Sequence, residues 1–382
     1  MHIALVTETY PPEVNGVAMT LNRMAEGLLR RGHQVHLVRP RQHDGDLPIR
    51  GLHFHETLVC GLPIPRYQGL RFGLPAKNRL VKVWREHRPD IVHVATEGPL
   101  GWSAISAANT LGLPVSSGFH TNFDAYSRHY GLGWLRGAIS RYMRKLHNRT
   151  CITLVPTRIL AQELTKQGYR NVAVVSRGVD TQLFNPARRS QALRASWGAA
   201  QNELVVCYVG RLAPEKNLDL VLESIAAMRE RRYDVKGVFI GEGPQLKPLA
   251  ARHPEYCFAG LRRGEDLARH YASADIFLFP SLTETFGNVT AEALASGLGV
   301  VSYRCAGAAD LIVNGENGLL AAPGDSPAFV DAAIRLATHP TQRDHVRRHA
   351  AASVAHLDWE RIHDTFIETL RQRIDCGSIK PH

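Results

Sequence analysis

The 382-residue sequence is defined first by what it lacks. No apolar run approaches the ~18–20 residues needed to span a bilayer, so no transmembrane helix is expected. There is no C-x-x-C. The six cysteines, at 60, 151, 207, 257, 305 and 376, are scattered, which indicates neither a zinc site nor a disulfide framework. MHIALVTETY has no basic start and no small-residue cleavage site, so a cytoplasmic protein with reduced thiols is expected. No G-x-G-x-x-G is present, which argues against a dinucleotide site, and no short-period repeat or low-complexity tract breaks the chain. Apolar content of 44% and charged content of 21% fit a globular protein with ample core.

Acidic residues are scarce in one half only. Residues 1–185 hold 23 Lys+Arg against 12 Asp+Glu, whereas 23 of each sign cancel in the remainder, so the net charge of +11 lies in the first half. Residues 126–161 contain no acidic side chain, but carry Arg128, Arg136, Arg141, Arg144, Lys145, Arg149 and Arg158 with Tyr130, Trp134 and Tyr142 interleaved. A second basic stretch, Arg66 to Arg88, includes Tyr67, Phe72 and Trp84. Cations beside aromatics suit an anionic membrane surface, the alternative being a solvated helix face with its aromatics in the core. No nucleic-acid motif accompanies the charge.

Short β-like runs alternate with helical patterns: IALV, VHLV, IVHV, VSSGF, ITLV and VAVV, then LVVCYVG, VKGVFIG, YCFAG, IFLFP and GVVSY. Near-continuous apolar strands separated by helices imply parallel sheets covered on both faces. Two such series imply two doubly wound α/β domains, 1–183 with 356–382 and 184–355. The boundary is placed in the polar, strandless stretch 184–203. The cleft between two such domains is the default ligand site.

Four stretches could carry chemistry. TYPPEVNGVA follows the first strand, and Gly16 there would let backbone N–H groups approach a ligand; a plain strand–helix turn is the alternative. GFHTNFDAY places His120 just past a strand end and Asp124 in the following loop, where a structural histidine and a helix N-cap are the ordinary roles. VGRLAPEKN sets Arg211 and Lys216 before a helix, an arrangement that suits a diphosphate unless both are merely solvated. FIGEGP adds a turn at Gly241. In SLTETFGNVTAEALASG a helix starts near Phe286, Gly287, Asn288 and Val289, and its free N–H groups favour an anion. Glu284 and Glu292 bracket that start. A carboxylate only accepts, so it grips hydroxyls. A ligand with hydroxyls at both ends and a diphosphate between is a nucleotide sugar; a capping glutamate plus an exposed helix glutamate is the alternative. Asp44-Gly45-Asp46 resembles a metal-binding D-x-D but reads as a solvated turn, so no metal is assigned.

Together these residues resemble the retaining glycosyltransferases of the GT-B fold, in the family marked by E-x7-E. TETYPPEVNGVA, the strand-end His120, RGVDTQLFNP, VGRLAPEKN, SLTETFGNVTAEALASGLGVV and GENGLL carry the resemblance. It implies that Glu284 contacts the transferred sugar and Glu292 the ribose. It puts Arg211 and Lys216 on the diphosphate, His120 at the reaction centre, and Asn15 and Gly16 in the phosphate- and acceptor-side loop. The tail helix around Trp359 is expected to cross back onto the first domain. Arg177 stands before Gly-Val-Asp where many members carry Asn. That is similar to the branch acting on diacylglycerol-type lipids, the sulfoquinovosyl transferases and glycosyl-diacylglycerol mannosyltransferases.

The implied reaction is metal-independent transfer of a hexose, with retention, from a UDP- or GDP-linked donor to a hydroxyl of a lipid such as diacylglycerol or glycosyl-diacylglycerol. No glycosidase-like nucleophile pair is evident. Same-face attack, with the departing phosphate oxygen taking the acceptor proton, fits this pattern. A soluble or polysaccharide acceptor, and a nucleotide-sugar epimerase, remain open alternatives.

Overall fold

A computed structural model describes residues 1–13, 15–63, 71–120, 136–231 and 234–376. The chain divides into two compact units, Met1–Arg177 with the tail from Trp359, and Gly178–Asp358.

In unit 1 the strands are β1 (His2–Val6), β2 (Gln34–Pro40), β3 (Phe54–Val59), β4 (Gly61–Pro63), β5 (Arg71–Gly73), β6 (Ile91–Val94), β7 (Val115–Gly118), β8 (Ile152–Val155) and β9 (Val172–Val174). Seven of them form one parallel sheet in the order β3-β2-β1-β6-β7-β8-β9, and β4 and β5 pair separately. Helices α1 (Gly16–Arg30), α2 (Lys77–Glu86), α3 (Pro99–Thr110), α4 (Arg136–His147) and α5 (Arg158–Lys166) provide the crossovers. β1 is apolar at Ile3, Ala4, Leu5 and Val6 because all four are buried, as a central parallel strand requires.

Unit 2 repeats the plan. Its strands are β10 (Leu204–Val209), β11 (Val235–Ile240), β12 (Cys257–Gly260), β13 (Ile276–Phe279), β14 (Gly299–Tyr303) and β15 (Leu319–Ala321), all parallel, in the order β12-β11-β10-β13-β14-β15. Its helices are α6 (Gln191–Ser196), α7 (Leu218–Glu230), α8 (Leu246–Arg252), α9 (Gly264–Ser273), α10 (Asn288–Ala295), α11 (Ala306–Leu311), α12 (Ser326–Thr338) and α13 (Pro340–Ser353). One continuous core runs from Val179 to Leu357.

The tail helix α14 (Trp359–Cys376) belongs to unit 1, where Ile362, Phe366, Ile367 and Leu370 join the core beside α1. Gly27 of α1 is what admits it: a Cβ there would lie 2.3 Å from the His363 ring. Arg31 then pairs with Glu360 at 2.9 Å and Asp364 at 2.8 Å.

Three features depart from the sequence reading. The seam lies at Arg177/Gly178 and Asp358/Trp359 rather than at 183/184 and 355/356. The strandless stretch 184–203 opens unit 2 and holds α6. It is tied down by buried Asp275, which accepts from Arg189 at 2.7 Å and Arg194 at 3.0 Å. β3 carries no strand signal because Glu56 interrupts it, yet Glu56 is buried. Arg39 pairs with it at 3.2 Å, so the charge is not left alone. Asp46 of the D-x-D is also held by Arg39, at 2.6 Å, which keeps its carboxyl below the usual range.

Candidate active site

The candidate donor residues of unit 2 lie on three loops, after β10, β11 and β13. After β10 the chain turns at Gly210 and presents Arg211, whose carbonyl accepts from the buried Tyr208 hydroxyl at 3.1 Å. Gly241, after β11, packs on this turn. A Cβ there would sit 1.9 Å from the Gly210 carbonyl oxygen, and its φ of +139° is one that side chains rarely adopt. The glycine of FIGEGP thus lets the second loop support the first. The Arg211 side chain is 47% exposed, with the buried Glu215 carboxylate 3.8 Å away. Lys216 is half-buried before α7.

Following β13, a third loop leads into α10. Phe286 is buried, so its ring is a core group and only its backbone is available to a ligand. Gly287 is the N-cap, in left-handed geometry at φ +81°, and no side chain caps the helix. Thr290 N bonds the Gly287 carbonyl at 2.9 Å, so it is the Asn288 and Val289 amides that retain the anion preference of a helix start. Ser281 donates to Glu284 Oε1 at 2.7 Å, and Lys216 Nζ donates to the same oxygen. The residues assigned to the sugar and to the diphosphate are thus in direct contact.

Glu292 lies on α10, half-buried. Burial pushes its carboxyl up to about 7, against the lowering effect of a hydrogen bond from Tyr271. That bond, from the phenol to Glu292 Oε2, measures 2.9 Å.

In unit 1, Arg177 is only 6% exposed and donates to Thr20 Oγ1 at 3.0 Å and to His120 Nδ1 at 3.1 Å. Thr20 in turn donates to the Gly16 carbonyl at 2.7 Å, so one arginine ties the start of α1 to the end of β7. Because the guanidinium can only donate, the His120 proton belongs on Nε2. Burial, with Arg177 second, holds His120 well below the usual histidine range. Its ring turns inward over Gly118, where a Cβ would lie 2.5 Å from Nε2. There it lines a cavity of about 40 Å³ with His93, Met24 and Phe366.

Asn15 proves to be the N-cap of α1. It accepts from Val17 N at 3.1 Å and Ala18 N at 2.9 Å, so these amides are already satisfied. Gly16 is exposed, with nothing within 4 Å of its would-be Cβ. Asp124, Arg128, Tyr130, Trp134 and Tyr67 lie outside the described residues. On α4, Arg141, Tyr142, Arg144 and Lys145 are exposed. Lys145 and Arg149 stand over the Trp102 ring at 5.9 and 5.0 Å. Trp84 is fully buried and donates to His36, which removes it from any interfacial role.

His2, His36 and His55 form a cluster at the start of the β1–β3 edge, with ring nitrogens within 4.8 Å of one another. His36 Nδ1 accepts from Trp84 at 3.2 Å, which places its proton on Nε2 facing Thr57 at 2.9 Å. Both nitrogens are engaged, and the ring stacks on His55 at 4.1 Å.

Comparison with known proteins matches residues 14–183 to glycosyltransferase family 4 and residues 203–339 to the glycosyl transferases group 1. Over 388 residues, all of this chain and 92% of the relative, it is 33% identical to a GDP-mannose-dependent alpha-mannosyltransferase of Corynebacterium glutamicum. The chain is a GT-B glycosyltransferase. The enzyme is also 32% identical to sulfoquinovosyl transferase SQD2 of Arabidopsis thaliana, over 94% of this chain and 71% of the relative. Among solved structures, sucrose-phosphate synthase from Thermosynechococcus elongatus shares the fold of this glycosyltransferase at a TM-score of 0.81, with 19% identity, covering 98% of this chain and 99% of the other. Anabaena HepE in complex with UDP matches at 0.77, with 20% identity, covering 97% and 100%.

Several residues that contact the candidate site residues of this glycosyltransferase carried no sequence signal. Tyr271 lies in an ordinary amphipathic helix, and Ser281 and Thr20 are small polar residues of common types. Glu8 follows β1 and could have been noticed from that position. It accepts from Leu100 N at 3.0 Å, at the start of α3, and burial pushes it up to about 7.

Proposed function

We propose that this enzyme transfers a hexose, with retention and without a metal, from a GDP- or UDP-linked donor to a hydroxyl of a membrane glycerolipid. The carrying observation is the contact of Lys216 with Glu284 in the loop before the uncapped start of α10. Donors for a diphosphate and an acceptor for sugar hydroxyls thus converge on one point. Arg211, Lys216 and the α10 amides would stabilise the leaving diphosphate, taking the part a metal plays elsewhere. The departing phosphate oxygen would take the acceptor proton, so no protein base is required on the reacting face.

GDP is favoured as the nucleotide because relatives at 33–34% identity are described as GDP-mannose-dependent. A lipid acceptor is favoured by the exposed basic face of α4. Relatives described as alpha-monoglucosyldiacylglycerol synthases also support it. The test is product analysis with GDP-mannose and UDP-glucose, each with diacylglycerol, glycosyl-diacylglycerol or a soluble sugar, with and without chelator. An α-linked glycolipid formed in chelator is expected. Transfer only to the soluble sugar would replace the acceptor, and conversion of the donor alone would point to an epimerase.

A further inference from the structure

Tyr271 has no part in the proposed chemistry, yet it is placed with unusual care for a helix residue. Its ring is fully buried and held edge-on by Phe184 at 5.7 Å and by Phe277 at 5.9 Å. The phenol is therefore fixed by packing, not by the group it bonds. Its hydroxyl donates to Glu292 Oε2 at 2.9 Å, across from α9 to α10. Glu292 Oε1 has no hydrogen bond among the described residues. The two oxygens of one carboxylate are thus distinguished by a rigid neighbour.

We propose that Tyr271 is a positioning residue for the nucleotide ribose: it pins one oxygen of Glu292, so that the other is presented to one of the two vicinal hydroxyls. This rests on the reading that Glu292 holds the ribose. A carboxylate free to rotate would accept from either hydroxyl and discriminate poorly between a ribonucleotide and its 2′- or 3′-deoxy form. A pinned one rewards the hydroxyl that meets its open oxygen, because a fixed acceptor loses little freedom on binding. Tyr271 acts on the nucleotide only through Glu292, so its effect vanishes when the carboxylate is gone.

The experiment is calorimetry of GDP, UDP and their 2′- and 3′-deoxy forms with wild type, Tyr271→Phe, Glu292→Gln and the double variant. Wild type is expected to favour the ribonucleotide over one deoxy form by about tenfold, the scale of one charge-assisted hydrogen bond. In Tyr271→Phe the ribonucleotide should weaken by about that factor, the deoxy form should hold, and the ratio should approach one. The double variant should match Glu292→Gln, as two residues acting in series require. A wild-type ratio kept in Tyr271→Phe but lost in Glu292→Gln overturns the positioning role and leaves the ribose reading standing. Equal binding of all nucleotides by wild type and Glu292→Gln overturns both. If Tyr271→Phe alone does not fold, the double variant still decides. It leaves no carboxylate without its donor, and weaker binding than Glu292→Gln would sink the proposal.

Discussion

Lys216 Nζ donates to Glu284 Oε1, so the cation assigned to the diphosphate and the carboxylate assigned to the sugar neutralise each other across the loop. Ser281 holds the same oxygen at 2.7 Å, which fixes the pair in place. Glutamine at 284 keeps an acceptor oxygen for both donors, so Lys216 stays in place when the charge is removed. Glu284→Gln should lower transfer by tenfold or more, since hydrogen bonds to charged groups are worth ~1.5–3 kcal/mol. Free nucleoside diphosphate should bind nearly as before. Steady-state rates beside calorimetry measure both, and wild-type turnover would refute the assignment.

Arg211→Ala and Lys216→Ala should each lower turnover by about two orders of magnitude, corresponding to ~3 kcal/mol of lost leaving-group stabilisation. Arg211 is exposed, so its variant should fold normally, as circular dichroism and melting would confirm. A folded Arg211→Ala enzyme with normal turnover would remove it from the site.

Burial lowers His36 to about 3 and His93 to about 4, and burial with help from Arg177 holds His120 well below the usual histidine range. A histidine whose folded value lies below its unfolded ~6.5 binds fewer protons when folded. Its contribution to stability is complete above that value and declines as pH falls below it. Glu8, raised to about 7, works the other way, adding stability as pH falls from 7 toward the unfolded ~4.5. The histidine NMR signals of His36 and His93 should accordingly not titrate between pH 8 and 5. In Arg177→Ala the His120 signal should shift toward higher pH. Midpoints near 6.5 for His36 or His93 would contradict the burial.

Gly241→Ala places a methyl 1.9 Å from the Gly210 carbonyl oxygen at a φ of +139°. Neither backbone can yield cheaply, and a destabilisation of roughly 3 kcal/mol or more is expected. Urea unfolding reads it directly. An unchanged midpoint would mean that the two loops do not pack as described.

Arg141, Arg144 and Lys145 are exposed on α4, Arg144 donating to the Gln167 carbonyl at 2.9 Å and Lys145 standing over Trp102. Near an anionic surface each contributes about 1 kcal/mol. The protein should pellet with anionic vesicles and not with neutral ones, less so as salt shortens the screening length from ~10 Å toward ~3 Å. Changing all three to Glu should abolish pelleting while nucleotide binding persists. Equal partition to both vesicle types would favour a soluble acceptor. Among the described residues no helix is long and apolar enough to cross a membrane.

By itself the sequence determined the doubly wound architecture of each unit. Buried parallel strands such as IALV and LVVCYV must be apolar on both faces, and that constraint leaves a continuous run that composition reveals. It also located the starts of α10 and α7, because Gly287 and the cations before α7 are local signals of a helix start. Only tertiary structure decided which residues meet. Glu56 hid β3 until Arg39, seventeen positions away, neutralised it. Asn15 proved a cap and Trp84 a core group. Tyr271 reached Glu292 from the neighbouring helix with nothing in its own sequence context to announce it. Periodicity records burial, which acts residue by residue. A hydrogen bond between side chains far apart in sequence depends on how the elements pack, and no local pattern carries that information.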